Sequence, residues 1–162
     1  MSAPKRLRDG VPAGAVLSRE DAQAIAERAM RFSKADGIDV NLGSNHNTNV
    51  RFADNQMSTA GSLTDAGLVV QSWFGNKHAV VTTNDLSEAS IRRCVEQSEV
   101  LARLAPEDPE AMPLLERQQY QRVDAAYSTA TEAIGAAERA QAAMTALGPA
   151  RRAGDLKAAG FL

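Results

Sequence analysis

The sequence predicts an α+β fold: a two-layer sandwich with a largely antiparallel sheet of three to four strands flanked by two helices, in the order α-β-β-β-β-α. Three observations carry this. An apolar stripe at three- and four-residue spacing precedes Gly37. Several alternating apolar and polar runs joined by Gly/Asn turns occupy residues 38–83. A second helical stripe then runs to Pro106. Short loops between neighbouring strands imply antiparallel pairing, and helices on either side of such a run are placed together over one sheet face.

The first helix opens at Ser18, whose hydroxyl can accept a free N–H of the first turn, with Glu20 and Asp21 at the positive end of the dipole. Ala22, Ile25, Ala26, Ala29 and Phe32 form its apolar stripe, and Gly37 is the expected stop. Ile38, Val40 and Leu42 alternate with polar residues as a first strand, and Gly43–Asn47 has the composition of a turn. Thr48–Ala53 alternates again, with Val50 and Phe52 on one face, and Asp54, Asn55 and Gly61 punctuate the next connection.

Ala66–Phe74 is the most hydrophobic strand, and Gly75-Asn76 closes a hairpin into Lys77–Thr83. Asn84, Asp85 and Ser87 can each cap the next helix. Its inner face is expected to hold Ile91, Val95, Ser98, Ala102 and Ala105, with Cys94 and Leu101 beside them. Arg92, Arg93, Glu96, Glu99 and Arg103 are assigned to the wet side.

The chain divides on this reading into four segments: a flexible tail over 1–17, an α+β domain over 18–106, a Pro-containing linker over 107–130, and a helix with the start of a truncated central domain over 131–162. The last helix is expected from near Thr131, with Ile134, Ala137, Ala140, Met144 and Leu147 on one side and a break or kink at Gly148-Pro149. The apolar end Ala158–Leu162 is expected to lack a partner.

Composition excludes several classes of function. A net charge of −2 argues against a nucleic-acid binder, and Lys5–Arg8 reads as a solvated tail. No run approaches the roughly 18 apolar residues of a membrane span, and Val11–Leu17 is interrupted by Pro12 and Gly14, which disfavours a signal peptide. One cysteine, Cys94, precludes an intrachain disulfide and suits a reducing compartment, so a cytoplasmic location is expected.

The chemistry-bearing residues are few. His46 stands in a polar segment, His78 at a strand start and Cys94 in a helix stripe, with no H-E-x-x-H spacing to bring two imidazoles onto one helical face. A zinc site from these three would require three separate elements to converge, so ordinary surface histidines are the expectation. Gly61–Gly67 resembles a phosphate loop only superficially: it lacks Gly-Lys-Ser/Thr and precedes a strand, and it is expected to be a plain loop. Trp73 can be read as a ligand anchor or as a sheet-packing residue, the second being favoured. No catalytic, cofactor-binding or metal residue is assigned.

Four stretches carry a resemblance. They are Arg51-Phe52-Ala53-Asp54-Asn55-Gln56, Thr64-Asp65-Ala66-Gly67-Leu68-Val69-Val70, the run from Gly75-Asn76-Lys77-His78-Ala79 through Thr82-Thr83-Asn84-Asp85-Leu86-Ser87, and Ser98–Pro109. In order and spacing they resemble the N-terminal domain of the TldD/PmbA family of metallopeptidases, also known as modulators of DNA gyrase. Ala137–Leu162 is similar, more loosely, to the start of that family's central region.

The resemblance implies a longer cytoplasmic protein acting as a homodimer or as a heterodimer with a TldD/PmbA-type subunit, on unfolded peptides or short proteins. Zinc is implied for the full-length family member, on a C-terminal His-Glu-x-x-x-His helix; some members lack it and partner a catalytic subunit. That motif is not present in this sequence, so no family site residue transfers, and no cofactor is expected in this chain. The alternative reading is a complete small α+β interaction module without enzymatic activity.

Overall fold

The computed structural model describes residues 16–121, 123–154 and 156–162. The tail expected over Met1–Leu17 lies outside the described residues, apart from Val16 and Leu17. The elements run α1 (Arg19–Phe32), β1 (Gly37–Ala53), β2 (Gln56–Phe74), β3 (Lys77–Thr83), α2 (Glu88–Leu104), a 3₁₀ turn at Asp124–Ala126, a one-turn helix α3 (Thr129–Glu132), α4 (Ala136–Arg152) and β4 (Gly160–Phe161). The sheet order is β3-β2-β1-β4. The mixed α+β architecture with flanking helices is as expected, but only three strands lie between α1 and α2. The fourth comes from the chain's last residues.

Fewer, longer strands replace those read from the sequence. Gly43–Asn47 is not a turn: β1 continues through it, and burial still alternates at Leu42, Ser44, Thr48 and Val50. Gly61–Gly67 is not a loop either but lies inside β2. Turn-forming residue types marked both places, yet neither needs a left-handed backbone, and a paired neighbour satisfies the peptide groups that a turn would otherwise close. The real connections are where the backbone does turn. Asp54 and Asn55 have φ of 50° and 62°, the two left-handed positions of a type I′ hairpin, and Gly75 has φ of 57°.

Two compact units emerge. The first contains the described residues of 16–46 together with 64–116; the second contains 47–63 and 117–162. Strands β1 and β2 contribute residues to both.

In the first unit, β2 and β3 pair antiparallel from Leu68↔Thr83 to Phe74↔Lys77. This register puts Leu68, Val70 and Ser72 on the face that meets the helices. There Leu68 and Val70 pack with Ile25 and Ala29 of α1, and with Ile91, Cys94 and Val95 of α2. Leu68, Val70, Ile91 and Val95 are fully buried, each contributing roughly 1.5–3 kcal/mol of transfer free energy.

The α1 cap is as expected: Asp21 N donates to Ser18 Oγ at 3.0 Å. Gly37 does not end α1, however. The helix stops at Phe32 with Ser33 as its C-cap, and Gly37 starts β1. A Cβ at Gly37 would lie 2.8 Å from Leu114 Cδ1, so this glycine admits a side chain from the segment after α2.

The inner face of α2 holds Ile91, Cys94, Val95, Ser98, Glu99 and Ala102, whereas Leu101 is exposed. Glu99 is thus not on the wet side. It sits eight residues after Ile91 and falls on the same stripe. Its carboxylate accepts from Ser33 Oγ at 3.1 Å and from Lys34 N at 2.5 Å, which satisfies the chain as it leaves α1. Ser98 Oγ donates to Val95 O at 2.8 Å, so in the 2.6 Å contact between Ser98 Oγ and Ser72 Oγ the donor is Ser72.

In the second unit α4 starts at Ala136, not near Thr131, and continues three residues beyond Pro149 to Arg152. A proline in the last turn removes only one helical donor, so the helix tolerates it. The buried positions are Ala143 and Leu147, while Met144 is partly exposed and Ile134 precedes the helix. The chain end is not partnerless. Gly160–Phe161 pairs antiparallel with Arg51–Phe52, and Val50 and Leu162 exchange both backbone hydrogen bonds at 3.0 Å. Gly160 leaves room for Phe52, whose Cζ would be 2.8 Å from a Cβ there.

Candidate functional site

Strand parity in the first unit decides which side chains are free to meet a ligand. With Leu68, Val70 and Ser72 turned to the helices, Gly67, Val69, Gln71 and Trp73 occupy the opposite face. On β1 the same alternation leaves Asp39, Asn41, Gly43 and Asn45 exposed. This open face carries a shallow groove of about 650 Å³ lined by Asn41, Gly43, Asn45, Asp65, Gly67, Val69, Thr82 and Asn84. Gly43 has nothing within 4 Å of a Cβ position, and at Gly67 only Thr83 O comes as near as 3.8 Å, so the floor is low.

The groove mixes carboxamides and hydroxyls with apolar residues, among them Ala66 and Val69, and Asp65 is its formal charge. Such a surface offers paired donors and acceptors to a polar or extended ligand. It contains no base beside a nucleophile.

At the hairpin end of the same face, Trp73 stacks on His78 with centroids 4.2 Å apart and a 30° interplanar angle. Trp73 is half-buried, so it packs against the sheet instead of projecting as a free anchor. The Nε1 of Trp73 and the Nδ1 of His78 are buried without a hydrogen-bond partner. Asp108 Oδ2 lies 3.8 Å from His78 Nδ1.

The three residues considered as metal donors are kept apart. His46 Nδ1 contacts Thr64 Oγ1 at 2.6 Å, and His78 is stacked on Trp73. Cys94 Sγ donates to Val81 O at 3.4 Å inside the core, where burial pushes its thiol pKa up. No three His, Cys, Asp or Glu side chains gather in metal-binding geometry among the described residues. The donor set of these residues therefore does not fit a zinc ion.

In the second unit, Asn55 is the point to which the chain end is tied. Its Nδ2 donates to Leu156 O at 2.7 Å, its Oδ1 accepts from Ala158 N at 2.8 Å, and its carbonyl accepts from Arg151 Nη2 at 2.6 Å. Lys157 Nζ pairs with Asp54 Oδ1 at 2.8 Å. A separate, mostly apolar hollow of about 380 Å³ is lined by Asn49, Val50, Met57–Ala60, Ala136, Arg139 and Ala140. Sequence reasoning missed the groove and the Asn55 anchor. The alternation of Asp39, Asn41, Gly43 and Asn45 was the available signal for the groove; that for Asn55 was a polar residue tolerant of left-handed backbone.

Residues 38–102 match the family model described as PmbA/TldA metallopeptidase domain 1. None of the curated protein sequences compared is a match. Among solved structures, TldE from Thermococcus kodakarensis is similar with a TM-score of 0.70 at 12% identity, over 86% of this chain and 32% of that one. A Thermotoga maritima protein named for modulation of a DNA gyrase gives 0.61 at 13% identity, over 76% and 28%. A Bacteroides thetaiotaomicron protein with a similar designation gives 0.57 at 18%, over 76% and 29%. The chain thus spans about a third of the length of the structures it resembles.

Proposed function

The chain belongs to the TldD/PmbA family, and from that premise we propose that it acts as the non-catalytic first portion of a zinc metallopeptidase of that family or of its non-catalytic partner subunit. The work of the assembly is cytoplasmic proteolysis or peptide maturation, and zinc and the hydrolytic step belong to another domain or subunit. The observation that carries this reading is the match of residues 38–102 to the family's first domain, supported by a fold shared with structures about three times as long. In this reading the polar groove of Asn41, Asn45, Asp65 and Thr82 forms part of the wall past which an unfolded peptide runs.

Two measurements test it together. The purified chain should carry no stoichiometric zinc and cleave no unfolded peptide. Mixed with a catalytic TldD-type subunit, it should co-migrate in size-exclusion chromatography. One zinc per chain, or failure to associate with homodimeric and heterodimeric candidates alike, would overturn the proposal.

A further inference from the structure

We propose that the segment following α2 is a proton-sensitive strap, latched to the open sheet face by His78 and Asp108. Pro106 ends the helix, and the chain crosses to the far side of the sheet: Asp108 N donates to Asn76 O at 3.0 Å, and Leu114 packs over Gly37 beside Trp73. Between these two points lies the stacked Trp73–His78 pair.

The latch is incomplete as it stands. Nδ1 of His78 is buried, lacks a hydrogen bond, and looks at a carboxylate 3.8 Å away. That separation exceeds hydrogen-bond range. In the neutral ring, Nδ1 either presents a lone pair to that carboxylate or holds an N–H that does not reach it. When imidazole takes a proton from solvent both nitrogens become donors, and Nδ1–H⁺ has one charged acceptor in view. Histidine is the side chain whose charge changes in the range around neutrality.

Two of the charged groups nearby are engaged or turned away. Asp36 accepts from Gly75 N at 3.0 Å, so its carboxylate is engaged at the turn. Lys77 neighbours His78 on β3 and points to the opposite face by strand parity. Glu110 reaches Asp108 through its backbone, N to Oδ1 at 2.9 Å, which leaves Oδ2 for His78. Glu107 precedes Asp108 on the strap, and Asp39 is the nearest acidic residue of β1 on the open face. Acidification therefore draws Asp108 onto His78 and seats the strap over Trp73.

The chain's single tryptophan is the stacked one, which gives a built-in probe. Lowering the pH from 8 to 5.5 should quench Trp73 fluorescence, because a cationic imidazole is in contact with the indole. Over the same range, hydrogen exchange in a peptide covering 105–116, corrected for intrinsic rate, should slow about two- to fivefold, the factor expected of a partly exposed ion pair.

Two variants separate the parts. His78→Gln should abolish both responses. Asp108→Asn should keep the quench, since the stack remains, and lose the pH-dependent protection. Circular dichroism at both pH values checks that each variant is folded. Exchange in 105–116 that slows equally in Asp108→Asn, or fluorescence that still titrates in His78→Gln, would overturn the proposal. So would wild-type exchange that is indifferent to pH.

Discussion

Replacing Glu99 with alanine should destabilise the first unit by about 2–3 kcal/mol. The carboxylate is almost fully buried and serves as acceptor for Ser33 Oγ and Lys34 N as the chain leaves α1. An orphaned buried donor costs roughly 1–3 kcal/mol, and bonds to a charged acceptor lie at the upper end of the range. Lys34 N carries most of the effect. Ser33 Oγ keeps its bond from Ala35 N at 3.2 Å and can turn its proton to water. Removal of the carboxylate's desolvation cost works against this loss, which holds the expected total below the sum of two charged bonds.

Glu99→Gln retains one carbonyl acceptor and should cost less than half as much. Equilibrium urea unfolding is the assay, with a lowered midpoint and an unchanged slope expected for the alanine variant. At about 2–4 °C per kcal/mol for a chain of this size, the melting temperature should fall by about 4–12 °C. A loss below about 0.5 kcal/mol for Glu99→Ala would refute the reasoning, since that is the scale of an ordinary surface change. Equal losses for alanine and glutamine would do so as well.

Other contacts give further expected outcomes. Ser98→Ala strands the buried hydroxyl of Ser72 and should cost about 1–3 kcal/mol; the Ser72→Ala/Ser98→Ala double variant should lose less than the two single variants summed, as a double-mutant cycle in urea would read. Asn55→Ala removes two hydrogen bonds and places alanine at φ 62°, so about 2 kcal/mol should be lost. Asn55→Gly should recover only the backbone part, and hydrogen exchange at Ala158 would report the loosened chain end. Asp85 accepts from Ser90 Oγ and from the backbone of Ser87, which lowers its carboxyl pKa. A carboxylate with a depressed folded value stabilises the protein above its unfolded value of about 3.9 and loses that contribution as pH falls through the lower folded value. Asp85→Asn should therefore flatten the stability profile below about pH 4, read by unfolding at a series of pH values. Cys94, held as a thiol in the core, should resist an alkylating reagent at about pH 8 until urea unfolds the chain.

Much of this protein was determined locally and is legible in its sequence. Ser18 and Ser87 cap their helices because a hydroxyl beside free N–H groups needs only its own next few residues. The turns at Asp54-Asn55 and Gly75-Asn76 are written in residues that tolerate positive φ. The periods of two and of 3.6 residues placed β3 and both major helices of the first unit.

Tertiary structure decided what depended on distant partners. Gly43 and Gly61 read as breaks, but each sits within a strand because sheet pairing outweighs a weak local preference. Glu99 is charged and was read as wet, yet it is inside, since only the end of α1, some 65 residues earlier, supplies its donors. The apolar chain end found its partner in β1, more than a hundred residues away in sequence. Strand alternation could mark the polar face, but only pairing of β1, β2 and β3 side by side turns those alternate residues into one groove. A side chain's period is set by its own backbone; its surroundings are set by chain that arrives from elsewhere.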